Sequence, residues 1–398
     1  MRRISFVMFV VFACFASAPW LQAQGEFTSF DAPGAGTGPG QGTGPNQMTA
    51  AGTIVGNYVD SNFVTHGFVR TAQGEFATID VPGARRTQAL GMTQAMVVGF
   101  YRDTNRVRQG YVLGPDGKFV TFGAPGAGTS PGQGTLAAAI NAAGTVSGMY
   151  WDANYVTHGF VRAADGSFAT FDPPGSAYVI ADTLGINSAG TVVEQYVDAN
   201  SVGHGALRAA DGTIVTFDAP HAGTGPGQGT FPEAINVTGM VSGNYVDSNN
   251  VNHGFLRASD GTFTTFDVPQ AGTGAFEGTI PAGSNPSGAT TGGYLDSNFV
   301  SHGFVRAADG TIVIFDAPGA VGTGAISITP SGAATGSYTD SNFVSHGFVR
   351  AADGTIVTFD APGAGTGGTN PISISPSGAA MGSYVDSNFT FHGFVREP

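Results

Sequence analysis

The sequence predicts an all-β protein, a closed β-propeller of eight four-stranded blades. Three observations predict this fold. A motif recurs eight times at near-constant spacing, strand-length apolar segments alternate with tight-turn residues, and the two chain ends carry complementary parts of one repeat. Glycine supplies 63 and phenylalanine 30 of the 398 residues, and glycine-rich turns between aromatic strands are typical of β proteins.

The recurring motif is His-Gly-Phe-Val-Arg at residues 66–70. Variants of it follow at 109–113, 158–162, 204–208, 253–257, 302–306, 346–350 and 392–396, with successive motif glycines spaced by 43 to 49 residues. A period of this length indicates a repeat architecture. Helical solenoids are excluded because the units lack a 3.6-residue apolar period.

The unit at residues 135–173 shows the predicted internal organisation. Apolar segments at 136–141, 145–151, 155–162 and 167–172 are separated by Ala-Ala-Gly, Asp-Ala-Asn and Ala-Ala-Asp-Gly, residues that form tight turns. Pro173 and Pro174 then end the pairing, because proline has no backbone donor. Eight such meanders match a propeller. A β-solenoid or a seven-bladed ring stays open as an alternative, although the polar caps of a solenoid are missing from the sequence.

The chain ends give the argument for closure. Residues 25–31 match 74–80 and 354–360, the last strand of a unit, yet no first three strands precede them. The final unit lacks that same strand, because the chain stops at Glu397 and Pro398 just after 392–396. Pairing of the two ends would complete the eighth blade and cover an exposed strand edge.

The first 23 residues are predicted to be a secretory signal peptide. Arg2 and Arg3 precede a short apolar stretch at 4–15, which is too short to span a bilayer, and cleavage is expected after Ala23. The only cysteine, Cys14, would leave with this segment. Lipid anchoring at Cys14 is not expected, because the bulky Phe12 stands where lipoprotein signals carry small residues. We predict a secreted or periplasmic protein whose residues 24–398 form one propeller domain without disulfides or membrane insertion.

The charge of the chain excludes one class of partner. The formal net charge is −13 even with Arg2 and Arg3 included, and Lys118 is the only lysine. Nucleic acid binding depends on clustered lysine and arginine that displace counterions, and anionic membranes attract basic segments. We therefore expect neither nucleic acid nor an anionic membrane as partner.

The repeat resembles the extracellular repeats of the HAF family, named for a His-Ala-Phe strand, with glycine here in place of the alanine. The resemblance covers nearly all of residues 25–398. It implies export and repetition rather than a particular activity. The residues that carry it in one unit are Ile140, Asn141, Gly144, Val146, Gly148, His158, Gly159, Phe160 and Gly166.

An Asp-x-Asn tripeptide occurs in every unit. Carboxylate and amide oxygens at alternate positions are ligands for Ca²⁺, but a calcium site takes about six to eight oxygens, and these segments lack the further acids of an EF-hand loop. We predict structural turns and no cofactor. The tripeptides are formed by Asp60 and Asn62, Asp103 and Asn105, Asp152 and Asn154, Asp198 and Asn200, Asp247 and Asn249, Asp296 and Asn298, Asp340 and Asn342, and Asp386 and Asn388.

Seven of the eight histidines start the repeat motif. Histidine ligates zinc, but a catalytic zinc site needs three converging protein ligands, and equivalent positions in successive blades of a ring lie apart. We predict that the ring nitrogens bond a neighbouring turn instead. The seven are His66, His158, His204, His253, His302, His346 and His392.

No other motif predicts catalysis. Glycine-rich loops such as 34–40 and 126–134 contain GxGxxG-like spacings, but no helix follows to build a phosphate site. Glutamate is scarce, and only Glu194, Glu233 and Glu277 break the repeat pattern, which is where a grafted site would occur. Glycoside hydrolysis would need two carboxyl groups about 5 to 10 Å apart, and serine and histidine occur only in repeated contexts.

Two functions follow as hypotheses. The first is a non-catalytic extracellular scaffold or binding module for glycans or protein partners, because the chain repeats itself without one singular site. The second is an extracellular glycan-cleaving hydrolase or lyase with a site in the central channel. The sequence favours the non-enzymatic hypothesis and leaves the ligand and the oligomeric state open.

Overall fold

The computed structural model describes residues 25–398, without the side chains of 181–184, so the predicted signal peptide and Cys14 lie outside the described residues. This part of the chain is all-β, as predicted, with 32 strands and no helix. The described residues accordingly include no helical segment that could cross a membrane.

The strands form eight four-stranded antiparallel meanders, numbered here one to eight along the chain. Meander one comprises β2 (Gly42–Met48), β3 (Ile54–Val59), β4 (Thr65–Arg70) and β5 (Phe76–Ile79). Meander two comprises β6 (Arg86–Met92), β7 (Val97–Arg102), β8 (Arg108–Leu113) and β9 (Phe119–Phe122). Meander three comprises β10 (Gly134–Ile140), β11 (Val146–Trp151), β12 (Thr157–Arg162) and β13 (Phe168–Phe171). Meander four comprises β14 (Ser176–Ile186), β15 (Val192–Asp198), β16 (Gly203–Arg208) and β17 (Ile214–Phe217).

The second half of the chain repeats this organisation. Meander five comprises β18 (Gly229–Ile235), β19 (Val241–Val246), β20 (Asn252–Arg257) and β21 (Phe263–Phe266). Meander six comprises β22 (Gly278–Ser284), β23 (Thr290–Leu295), β24 (Ser301–Arg306) and β25 (Ile312–Phe315). Meander seven comprises β26 (Gly322–Ile328), β27 (Ala334–Thr339), β28 (Ser345–Arg350) and β29 (Ile356–Phe359). Meander eight comprises β30 (Thr369–Ile374), β31 (Ala380–Val385), β32 (Phe391–Arg396) and, from the other chain end, β1 (Phe27–Phe30).

The meanders contact one another in cyclic order. Their first strands contact one another in the sequence β2, β6, β10, β14, β18, β22, β26, β30 and again β2, and each first strand also packs on the third strand of the preceding meander. Backbone hydrogen bonds do not link all the meanders, since single parallel bridges join only some neighbours and leave four separate sheets. The cyclic order therefore depends on side-chain packing.

That packing repeats one contact. In six meanders the phenylalanine of the third strand meets a phenylalanine of the preceding fourth strand, as Phe68 meets Phe30, with ring centroids 5.6–6.4 Å apart. The arginine that ends the third strand lies over the same ring, at 4.8 Å for Arg70 over Phe30. Such contacts add cation–π attraction to apolar burial. The core thus lies between meanders rather than within them.

A glycine in the second strand makes room for this contact. A Cβ atom at Gly56 would lie 2.8 Å from the Phe68 ring and against the backbone of β2. Seven meanders carry glycine at this position, and meander four carries Glu194.

The chain ends pair as the sequence predicts. β1 runs antiparallel to β32, with Phe27 opposite Arg396 and Phe30 opposite Gly393. Phe30 is buried against Phe68 of meander one. β1 is therefore the fourth strand of meander eight. It also supplies the phenylalanine side chain, Phe30, against which meander one packs.

Deletion of residues 25–31 should destabilise the whole protein cooperatively. It removes the fourth strand of meander eight, leaves the edge of β32 unpaired and uncovers the face of meander one. Truncation of Phe30 alone to alanine should lower the free energy of unfolding by about 3 to 5 kcal/mol. Denaturant unfolding and size-exclusion chromatography measure both effects, and Ser29→Ala in the same strand is the control. A deletion variant that stays monomeric and unfolds with the parent would contradict the role of this strand.

Candidate functional site

The end of each meander that carries the Asp-x-Asn turn also carries the loop to the next meander; we call this end the turn rim. The loop before β2 contacts the turns on both sides, because the Gly40 N–H donates to the Phe389 carbonyl at 2.9 Å and Gln41 Nε2 donates to the Ser61 carbonyl at 3.3 Å. The Gly132 N–H donates to the Arg106 carbonyl at 3.1 Å in the same way. Turns and loops thus form one connected surface.

The Asp-x-Asn turns use their carboxylates internally. Asp60 Oδ1 accepts the N–H groups of Asn62 at 2.9 Å and Val64 at 2.7 Å. These bonds, led by the one from Val64, lower the pKa of Asp60 against the opposing effect of desolvation. The backbone bond from the turn asparagine to the aspartate recurs in the other seven turns.

The turn asparagines also use their side chains within the turn. Seven of the eight donate from Nδ2 to the second carboxylate oxygen of their own aspartate, at 3.2–3.3 Å in three representative turns. The aspartate oxygens thus accept bonds from their own turns. Among the side chains that the structure describes, no group of three acidic, histidine or cysteine residues is placed to hold a metal ion. The three representative asparagines are Asn154, Asn249 and Asn298, which bond Asp152, Asp247 and Asp296 respectively.

Each repeat histidine lies between two aspartates. His66 Nδ1 donates to Asp80 at 2.9 Å, its Nε2 lies 3.6 Å from Asp60, and its ring stacks on Tyr58 with centroids 4.8 Å apart. The other six repeat the arrangement, with the aspartate of the turn on one side and that after the fourth strand on the other. For His392 the second aspartate is Asp31, so this pair also joins the chain ends. The histidines are therefore placed within their own meanders.

Sequence reasoning overlooked the aspartate after the fourth strand, although meander two contains the signal for it. There the histidine is replaced by Gln109 and the partner aspartate by Gly123. The two positions lie opposite each other on neighbouring strands, since a Cβ at Gly123 would be 3.2 Å from Gln109 Oε1. Loss of both partners in one unit indicates that they interact in the others.

Exposed aromatic side chains follow the Asp-x-Asn tripeptides in five units. Phe343 is 84% exposed, and Phe63, Tyr155, Phe299 and Phe389 are also mostly exposed. All five have φ between 59° and 64°, a conformation that glycine and asparagine adopt far more readily than bulky residues. Meander five carries Asn250 at this position, and Phe276 from the following loop supplies another exposed ring beside it through its N–H bond to the Asn250 carbonyl. Large aromatic rings thus occupy positions of the turn rim where neither burial nor backbone conformation favours them.

The three glutamates that break the repeat lie in different parts of the chain. Glu233 is an exposed residue of β18, and Glu277 is a buried residue of the loop before β22, where its Oε2 accepts the Gly274 N–H at 2.6 Å. Glu277 replaces the glutamine found at Gln41 and Gln133, which makes the same loop bond. Glu194 lies in β15. They belong to meanders five, six and four, so no single meander carries two of them.

Glu194 is enclosed at the contact between meanders three and four. It is 1% exposed, and neither carboxylate oxygen has a hydrogen-bond partner among the described residues. Its place opposite Ala206 explains how it fits, because Ala206 replaces the phenylalanine of the repeat and frees the space of one ring. Burial raises the pKa of Glu194 well above its usual value, the charge of Asp172 raises it further, and Arg208 opposes both.

No family model and no curated protein sequence matches the chain. Among solved structures, 90% of the chain is similar to 55% of a prolyl endopeptidase at 10% identity and a TM-score of 0.53, and 88% is similar to 59% of a puromycin hydrolase variant at 11% identity and 0.51. The β-propeller domain of the trilobed protease from Pyrococcus furiosus aligns with 77% of the chain at 9% identity and 0.46. The chain spans little more than half of the first two proteins. At these identities the likeness concerns the fold alone, and the matched structures are β-propellers.

The histidine and aspartate of one unit should be energetically coupled. In a double-mutant cycle of His302→Gln and Asp316→Ala, we expect a coupling free energy of about 0.5 to 1 kcal/mol, a modest value because Asp316 is half exposed. Urea unfolding of the four proteins measures it. The exposed pair Asp116 and Lys118, 3.2 Å apart, is the control, with coupling near zero expected. Additive effects at His302 and Asp316 would show that the contact does not stabilise the fold.

Glu194 should make stability fall as pH rises. The folded chain holds this proton to a higher pH than the unfolded chain, so the free energy of unfolding decreases from the ordinary glutamate pKa up to the raised one, by at most about 1.4 kcal/mol per pH unit. Glu194→Gln should remove this slope and exceed the parent in stability at pH 8. Unfolding curves between pH 5 and 9 test this, with Glu75→Gln in an exposed turn as the control. An unchanged slope in Glu194→Gln would contradict the assignment.

Proposed function

We propose that this chain is a secreted or periplasmic, non-catalytic glycan-binding module, a closed eight-bladed propeller of the HAF-repeat type that binds its ligand on the turn rim. The cyclic contacts of the eight meanders and the pairing of β1 with β32 support the closed ring. The resemblance of the repeat motif and the short apolar stretch near the N-terminus support export.

One observation supports binding on the turn rim more than any other. Exposed aromatic side chains occupy left-handed backbone positions in five units, where meander five carries an asparagine without disrupting the turn. An exposed aromatic ring on a left-handed backbone position buries little apolar area within the fold, so its presence favours a ligand. The face of an aromatic ring is electronegative and attracts the polarised C–H groups of a sugar ring. Several rings along one rim would bind a chain of sugars at several points.

The enzymatic alternative gains no support from the site. It needs two carboxyl groups facing a space that a sugar can enter. Glu194 is the carboxyl group with the strongly raised pKa, and it is enclosed between two meanders. The rim aspartates are held within their turns.

A glycan array and turnover assays on soluble polysaccharides separate the two functions. We expect saturable binding of at least one glycan without product release. Phe63→Ala and Phe343→Ala should each weaken it about tenfold, whereas Val313→Ala, which removes an exposed apolar side chain from the fourth strand of meander six, should not.

Phe343→Asn distinguishes a binding role from a structural one. It places at this turn the residue that meander five carries there, so we expect equal or higher thermal stability together with weaker binding. Sustained product release would establish the enzymatic function instead. Binding that survives all three rim substitutions, or no binding of any glycan, would contradict the proposal.

A further inference from the structure

The arginines of the described chain fall into two groups. Seven end the third strand of a meander and lie over a phenylalanine of the preceding meander. The other five all belong to meander two and its loops, and they are Arg85, Arg86, Arg102, Arg106 and Arg108. Between residues 81 and 123 the chain thus has six basic and only two acidic residues, although the protein as a whole is strongly acidic.

Three of these arginines form a row across the sheet at the turn rim. Arg86 at the start of β6 lies opposite Arg102 at the end of β7, and Arg102 lies opposite Arg108 at the start of β8. Directly opposed residues of antiparallel strands project from the same face, with Cβ atoms about 5 Å apart. In meander one the same three positions carry Gly42, Val59 and Thr65, which have no charge.

The other two arginines extend the row. Arg106 lies exposed in the turn between β7 and β8, and Arg85 is exposed just before β6, where its N–H donates to the Arg102 carbonyl at 2.8 Å. Five guanidinium groups therefore belong to one end of one meander.

This cluster has no carboxylate partner within the described residues. None of the five arginines forms an ion pair with an acidic side chain there, and Asp103, the nearest in sequence, accepts the N–H groups of Asn105 and Val107. Desolvation and the charges of Arg86 and Arg106 lower the pKa of Arg102. Like charges opposed across strands destabilise a sheet, so the row is unfavourable until an anion neutralises it.

Meander two has also lost the acidic residue that other meanders carry near this end. Gly123 replaces the aspartate that follows the fourth strand, and Gln109 replaces its histidine partner. The positive charge of the row is therefore not offset by the aspartate that every other unit has.

Aromatic side chains of meander three border the row. The Arg108 guanidinium lies 4.2 Å from the ring centroid of Trp151. The loop before β10 connects the two sides, because the Gly132 N–H donates to the Arg106 carbonyl and the exposed Tyr155 donates through its hydroxyl to the Pro131 carbonyl at 3.0 Å. Arg108 also donates to the Gly132 carbonyl. Cationic groups and an exposed aromatic ring thus meet on one loop.

We propose that the arginine row of meander two binds the anionic groups of an acidic polysaccharide, whose sugar rings contact Tyr155. Guanidinium groups bind carboxylate and sulfate through paired N–H donors, so uronic acid and sulfated sugars share the required chemistry. The inference rests on the proposed glycan-binding function and specifies its ligand class and site.

The surroundings favour a polysaccharide over other polyanions. Duplex DNA carries a charge every ~1.7 Å along its axis, and a lipid surface is anionic over its whole area, so both would bring negative charge against the acidic remainder of the protein. A polysaccharide segment can place a few anionic groups on the row while its uncharged ring faces lie on the aromatic side chains of the rim.

Calorimetric titration of the secreted protein with polygalacturonate, dextran sulfate and neutral dextran tests the proposal. We expect saturable binding of at least one acidic polymer, weakened about tenfold or more between 50 and 300 mM NaCl because salt screens the charges, and weak or no binding of dextran. Trp151 is a fluorescent probe for this site. The only other tryptophan, Trp20, lies in the predicted signal peptide and would be removed with it. The fluorescence of Trp151 should change with the same saturation curve.

Single substitutions assign the binding to the row. Arg86→Gln, Arg102→Gln and Arg106→Gln should each weaken binding of the acidic polymer about tenfold. Lys118→Gln removes one charge from the opposite end of the same meander and is the matched control. Because the row repels itself, Arg102→Gln should leave the melting temperature unchanged or raise it, an effect that a structural arginine would not show.

The outcomes separate this inference from the function on which it rests. Binding of neutral glycans alone, or equal loss in Lys118→Gln, would overturn the anionic site and leave the glycan-binding function standing. Absence of binding to any glycan would overturn both. Tighter binding of duplex DNA or of phosphatidylserine vesicles than of either acidic polymer would also overturn the proposal.

Discussion

The contact between the third strand of one meander and the fourth strand of the preceding one is the interaction on which the structure depends. There Phe68 is fully buried against Phe30, and Arg70 lies over the same ring. A four-stranded meander has an apolar face that it cannot cover by itself, so it requires a neighbour. Cyclic order covers every such face without a capping element, and the pairing of β1 with β32 supplies the missing fourth strand where the chain begins and ends.

This contact also limits how the units can diverge. The second-strand glycine leaves room for the third-strand phenylalanine, so a larger residue at the glycine position requires a smaller one at the phenylalanine position. Meander four shows this, since Glu194 replaces the glycine and Ala206 the phenylalanine. In meander two the third-strand position holds Tyr111, a ring of similar size, which packs in one cluster with Ile79 of the preceding fourth strand. The exchange in meander four leaves a buried carboxyl group without a hydrogen bond to any described residue, which costs stability that the remaining contacts must offset.

The turn rim diverges more freely because it lies outside these contacts. The Asp-x-Asn backbone bonds hold each turn regardless of the residue that follows the asparagine, so that position holds phenylalanine, tyrosine, arginine, serine or asparagine. The same independence allows meander two to collect five arginines without altering the strand pairing. Side chains of the turn rim can therefore vary among units while the packing between meanders stays constant, an arrangement common to rigid scaffolds with variable loops.

The sequence by itself determined the all-β class, the strand and turn pattern of the units and the complementary chain ends, because these depend on local periodicity and turn chemistry. It also located the repeat histidines of seven units and the Asp-x-Asn tripeptides of all eight. Only the tertiary structure decided which side chains meet across strands. Register places Asp80 beside His66 and Arg86 beside Arg102, fourteen and sixteen residues apart. Packing between meanders encloses Glu194. These contacts depend on the pairing of distant segments, a property that the spacing of residues along the chain does not specify.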